Sequence, residues 1–230
     1  MLTKKKKITK REIKHDALVD TYFSSRAWYS ENKKQVSTIG AVSLIVVLAI
    51  WFYFNNQNTK NISASSDFGK IFSFYDNSQF DIAKNGQPEQ NILGLDGIVE
   101  NYGSSQTGNL AKIYLANIEL QKNNIARAKE LFEDFSTNDE ILNASAKAGI
   151  GACLEAEKKY LDAAKNFEKA SKYSTIENLN AEYLNNAARN YSLAGENEKA
   201  LEIYKIIKSE YSVSIAARDV ERFISELKTN

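Results

Sequence analysis

Histidine, proline and cysteine occur once each in the 230-residue chain, at His15, Pro88 and Cys153. A lone cysteine excludes an internal disulfide in any redox compartment. After residue 54 there is no histidine, which removes a Ser-His-Asp or Cys-His triad and the common zinc ligand sets. With one proline, long helices run almost uninterrupted. Cys153 stands between Ala152 and Leu154 in a helical pattern and reads as a small core residue. Gly149 and Gly151 are a fragment of a phosphate-loop pattern, but they lie inside a helical run without a third glycine, so packing explains them. Carboxylates such as Glu130, Glu133 and Asp134, or Glu196, Glu198 and Glu202, fall at helix-surface spacing and read as solvated faces. The sequons at Asn61, Asn143 and Asn190 are chance matches in an asparagine-rich chain. The residues therefore predict a protein that is not an enzyme, with no cofactor, metal or small-molecule substrate.

Net charge is also nearly absent at +1, but the average hides two opposite halves. Residues 1–35 carry ten Lys/Arg against four acids, while residues 61–230 carry 19 basic and 25 acidic residues. Between them, Val36–Phe54 contains no charge and only Ser37, Thr38 and Ser43 as polar interruptions. At about 1.5 Å per residue this run is about 28 Å long, close to a bilayer core. A core helix would show a polar stripe, and a signal peptide would have a shorter apolar region and small residues at its exit. A membrane anchor is predicted instead, with Val36, Ile45, Leu48, Trp51 and Phe54 in the lipid and the Trp51 and Tyr53 rings at one interface. Lys33 and Lys34 abut one end, and Lys60 is alone beyond the other. Basic flanks stay cytoplasmic, so the N-terminus is expected inside and residues 55–230 outside. The Lys4–Lys7 run then serves topology and anionic lipid contact rather than nucleic acid. From Asp16, a plausible cap, Leu18, Tyr22 and Trp28 or Tyr29 share one side, which predicts a short amphipathic helix on the inner leaflet or against a membrane partner.

The exported part repeats. Residues 115–135, 150–170 and 187–207 align with a small residue at Ala116, Gly151 and Ala188. Twelve residues later comes an alanine (Ala128, Ala163, Ala200), and four further an aromatic (Phe132, Phe167, Tyr204). Small residues let two antiparallel helices approach closely, and the aromatic on the same face fills the space beside them. This order resembles the tetratricopeptide repeat. Residues 93–108 look like the second helix of a degenerate earlier repeat, with Gly94 at the alanine's place and Ile98 at the aromatic's. Its first helix would come from residues 67–80. Residues 214–228, with Ser214 as cap and Ala217, Val220, Ile224 and Leu227 turned inward, predict a terminal capping helix.

The predicted fold class is all-α: one N-terminal transmembrane helix, then a tetratricopeptide-repeat-like α-solenoid of about 3.5 repeats with a capping helix. The expected divisions are a basic cytoplasmic tail (1–35), the transmembrane helix (36–54), a linker (55–66), the degenerate repeat (67–108), three repeats (109–213) and the cap (214–230).

The basic tail, the outward-running helix and the stretch LGLDGIVENYGSSQTGNLAKIYLANIELQKNNIARAKELFEDF together resemble the YfgM-like family, ancillary subunits of the bacterial Sec translocon. The resemblance covers roughly residues 30 to 228. It implies a single-pass protein of the bacterial inner membrane with a periplasmic repeat domain. The implied partners are Sec translocon subunits, a membrane-bound periplasmic chaperone of the prolyl-isomerase type, and emerging secretory clients. The family's concave positions fall here on Asn117, Gln121, Glu155, Asn185 and Arg189. Two other classes fit the residues: a scaffold in cell-envelope or outer-membrane assembly, and an accessory subunit of another inner-membrane complex.

Overall fold

A computed structural model describes the backbone of residues 10–174 and 176–229, and the side chains of 18–174 and 176–228. The Lys4–Lys7 run and the His15 and Asp16 side chains lie outside the described residues. The chain divides into two units, residues 1–56 and 57–230. Helix α1, Lys10–Asp76, contributes to both.

In the first unit α1 contains the apolar run. An 18-residue stretch reaches a mean hydropathy of 2.2 with none of it buried, which makes α1 a candidate membrane span. Ile45, Leu48, Trp51 and Phe54 are exposed and Val36 is partly covered. One of the mild polar residues is satisfied within the helix: the Thr38 hydroxyl donates to the Lys34 carbonyl at 2.9 Å. Such back-bonding lets a hydroxyl sit in an apolar segment at low cost. Leu18, Tyr22, Trp28 and Tyr29 are exposed on this same continuous helix, so the separate short amphipathic helix expected there is absent.

The second unit opens with the rest of α1. Where a linker was expected over 55–66, the backbone stays helical and is held in place. Ala64 is fully buried, Asn61 Oδ1 accepts from the Thr107 amide at 2.8 Å, and the Ser65 and Thr107 hydroxyls lie 2.7 Å apart. Helices α2 (Phe80–Asn85), α3 (Leu95–Tyr102), α4 (Gln106–Gln121), α5 (Ile125–Asp134), α6 (Glu140–Ala156), α7 (Tyr160–Tyr173), α8 (Glu177–Leu193), α9 (Asn197–Glu210) and α10 (Val220–Thr229) follow. Among the described residues the only sheet is a two-residue hairpin, β1 (Gly86–Gln87) paired antiparallel with β2 (Ile92–Leu93).

One turn design recurs. Asn123, Lys158 and Gly195 each take a left-handed backbone, φ +62°, +60° and +81°. In each case the next residue donates its amide to the carbonyl five positions earlier: Asn124 to Glu119, Lys159 to Leu154, Glu196 to Tyr191. Five residues past the left-handed position stands the repeat alanine, Ala128, Ala163 or Ala200, each with no exposed surface. The same pattern occurs once more upstream. Ser78 has φ +59°, Gln79 donates to Phe74, and five residues past Ser78 lies the fully buried Ala83. The first repeat is therefore α1's end with α2, and its alanine is Ala83, not Gly94.

Gly94 precedes α3 as its N-cap, in extended backbone. A Cβ there would lie 2.3 Å from the Gly86 amide nitrogen, so only glycine lets the hairpin close. The hairpin interrupts the first repeat's outer helix after α2, and α3 then packs on α4 with Leu95 and Ile98 buried.

Within the three full repeats the aromatics lock the layers. Phe132, Phe167 and Tyr204 are 2 to 4% exposed, and burying each ring contributes about 1.5–3 kcal/mol. The Phe132 ring fills the space over Gly149, and Phe167 the space over Gly151. Ser105 and Asp139 cap α4 and α6 by accepting the amides of Gly108 and Leu142 at 3.1 and 2.9 Å. At the C-terminal end Tyr204 stacks on Phe223 at 5.2 Å, with Val220 and Ile224 buried. Ser214 accepts the Ala217 amide as expected, but a 3-10 turn, Ala216–Asp219, comes before the α-helix proper.

Candidate functional site on the inner helices

The first helix of each repeat lies beside the first helix of the next. Tyr114 of α4 is ringed by α1's Phe68, Phe72 and Tyr75, with centroids 5.4, 5.4 and 4.9 Å away. Tyr183 of α8 lies near Ser145 of α6. Arg189 of α8 reaches Glu155 of α6 with both ends of its guanidinium, Nη1 to Oε1 at 2.8 Å and Nη2 to Oε2 at 2.9 Å. This layer carries all five residues placed at concave positions.

The structure treats them differently. Glu155 and Arg189 meet in that two-pronged pair, and the buried Asn190 adds a third contact, donating Nδ2 to Glu155 Oε2 at 2.8 Å and to the Asn186 carbonyl at 2.9 Å. Asn185 lies one turn before Arg189, with its Oδ1 buried and without a hydrogen-bond partner. The Asn190 Oδ1 is in the same state. Asn117 is half-buried and lies near Tyr75 across the α1–α4 seam. Gln121 is exposed at the last position of α4. Glu155, Asn185 and Arg189 thus form one locus on α6 and α8, while Asn117 belongs to a different seam.

The Arg189 side chain is 49% exposed and that of Glu155 24%, so the pair is worth no more than about 1 kcal/mol. Both carboxamide oxygens are closed to solvent, so what this locus offers an incoming group is the half-exposed Arg189 guanidinium. Burial pushes the Cys153 thiol up to about 11, which keeps it protonated at neutral pH and unfit as a nucleophile. Behind α8, Tyr191 donates to Glu168 Oε2 at 2.9 Å. Burial, together with that carboxylate, pushes the phenol up to about 12.

Paired helices joined by one recurrent turn, stacked with small-residue and aromatic layers, define a helical-repeat module of the type that binds other proteins. The family model described as a tetratricopeptide repeat-like domain matches residues 26–206. The chain belongs to that family. Repeats of this kind are typically non-catalytic interaction modules. No curated protein and no solved structure matches the chain.

Proposed function

We propose that the protein is a membrane-anchored recognition module whose repeat unit faces the extracytoplasmic side of a bacterial inner membrane. In this reading it is an accessory factor of the Sec translocon. It links the translocon to a periplasmic chaperone of the prolyl-isomerase type and to emerging secretory proteins, as the resemblance to the YfgM-like family implies. The observation that carries the reading is the combination of an exposed, charge-free stretch in α1 with a repeat layer holding Glu155, Asn185 and Arg189 at one locus. The basic flank before Val36 favours a cytoplasmic N-terminus, and the half-exposed Arg189 guanidinium on α8 suits a carbonyl or carboxylate of a polypeptide.

Photo-crosslinking from position 185 or 189 in native membranes tests it. Adducts to translocon and chaperone subunits are expected, and Asn185→Ala with Arg189→Ala should weaken capture of them. Adducts confined to cell-wall synthases or outer-membrane machinery would overturn the translocon role. Protection of the repeat unit from protease added outside spheroplasts would overturn the orientation.

A further inference from the structure

A second surface lies on the opposite layer. Outer helices α5 and α7 leave between them a groove of about 430 Å³. Its floor is Ile150 and Leu154 of α6, and its walls carry Lys129, Lys147, Lys165 and Lys169. Lys165 leans toward Asp162 at 3.7 Å. Lys129, Lys147 and Lys169 make no ion pair within 4.0 Å among the described residues. Several other lysines of these repeats are held: Lys112 by Asp134 at 2.6 Å, Lys159 by Glu157 at 2.7 Å, Lys172 by Glu168 at 2.9 Å.

The contrast is informative because residues 61–230 are acidic on balance, with 25 acids to 19 bases. Unpaired ammonium groups in an acidic surface would ordinarily find carboxylates nearby. Four lysines against Glu133 and Asp162 leave the groove lining with a positive excess, a local field that favours an external anion. The walls also hold Glu133 and Asp162, which would repel a bare phosphate or a lipid headgroup. A polypeptide can alternate its charges to suit such a lining, and it can set an apolar side chain toward Ile150 and Leu154.

We infer that the α5–α6–α7 groove docks an acidic segment of a partner protein, one carrying several Asp or Glu residues around an apolar side chain. This surface is separate from the Glu155–Arg189 locus and does not depend on its role.

The test uses the full chain in uncharged detergent micelles. The probe is a fluorescein-labelled synthetic peptide of repeating Glu-Leu-Glu-Glu units that carries a benzophenone. Binding by anisotropy should weaken about tenfold or more in K129E/K147E/K169E, because like charges then face each other across the interface. K129Q/K147Q/K169Q should weaken it less, with an unchanged melting curve showing that the fold is intact. Crosslinks should map between residues 129 and 169, and N185A/R189A should bind the peptide normally. Crosslinks confined to the basic residues before Val36 would overturn the inference. So would equal binding by all variants, or a charge-reversal effect seen with inorganic phosphate or phosphatidylglycerol vesicles but not with the peptide.

Discussion

Lys84 and Glu119 meet at a site nearly closed to water: the Nζ lies 2.7 Å from Oε1, and Glu119 is 2% exposed. The other Glu119 oxygen accepts from Asn124 Nδ2 at 2.6 Å. This pair, with Asp81 bound to Lys122, clips the shortened α2 to α4. Lys84→Met should therefore cost about 2 kcal/mol in urea unfolding. That is below the about 3–5 kcal/mol of a fully buried pair, because the lysine keeps some contact with water. An unchanged midpoint would show that the clip is not needed.

The same cluster sets an acid limit. Burial pushes the Glu119 carboxyl up, but hydrogen bonds from Lys84 and Asn124 outweigh it and hold it below the usual range. Glu168 behaves alike, with burial outweighed by Lys172 and Tyr191. A carboxyl depressed in the folded state gives stability that is present above its unfolded value, about pH 4.3, and is lost as pH falls through the folded one. The melting temperature should accordingly fall below about pH 4. Glu119→Gln should be less stable than wild type at neutral pH and approach it in acid. A constant gap across that range would refute the assignment.

Gly149 is set by Phe132. A Cβ at 149 would lie 2.4 Å from the ring, which is itself 2% exposed and has no room to retreat. Gly149→Ala should cost about 1–3 kcal/mol by overpacking. At Gly151 the nearest ring atom would be 3.1 Å away, so Gly151→Ala should cost less. Comparing the two thermal melts checks the ordering, which a purely helix-propensity effect would not produce.

The recurrent turn predicts stabilising changes. Lys158 holds φ +60° on an exposed residue, a conformation costing a side-chain-bearing residue about 1 kcal/mol. Gly195 fills the same place in the third repeat at φ +81°. Lys158→Gly should raise stability by about 0.5–1 kcal/mol, and Asn123→Gly by less, since asparagine tolerates this backbone. Lower melting temperatures in both would mean that the gain in unfolded-state entropy outweighs the relief of strain.

The three full repeats were legible because small residue, alanine and aromatic keep one register over 35- and 37-residue steps. The first repeat broke that register. Its alanine, Ala83, lies 45 residues before Ala128, because the Gly86–Leu93 hairpin is inserted into the outer helix, and its turn uses Ser78 rather than a residue that signals positive φ. Gly94 drew attention as a small residue, but its smallness serves the hairpin's backbone approach to Gly86. At the candidate site, Glu155 and Arg189 were named from the family's concave positions, and the structure brings the two together. Those positions could not show that Asn117 would lie near Tyr75, because that depends on α1 remaining helical to Asp76. Asn190 carried no signal in a chain where asparagine is common.

The Glu155–Arg189 pair offers a way to separate stability from recognition. Both side chains keep water access, so most of their Coulomb attraction is screened. Glu155 Oε2, which Arg189 and Asn190 share, would still accept from Asn190 after Arg189 is lost. Arg189→Ala should cost under about 1 kcal/mol, and a double-mutant cycle with Glu155→Ala should give a coupling of about 0.5–1 kcal/mol. Asn190→Ala removes two hydrogen bonds at a position with no exposed surface and should cost about 1–3 kcal/mol. Arg189→Ala can then abolish partner capture in membranes while the repeats stay folded. A large loss of melting temperature in Arg189→Ala itself would make this pair a structural clasp and remove it from the recognition surface.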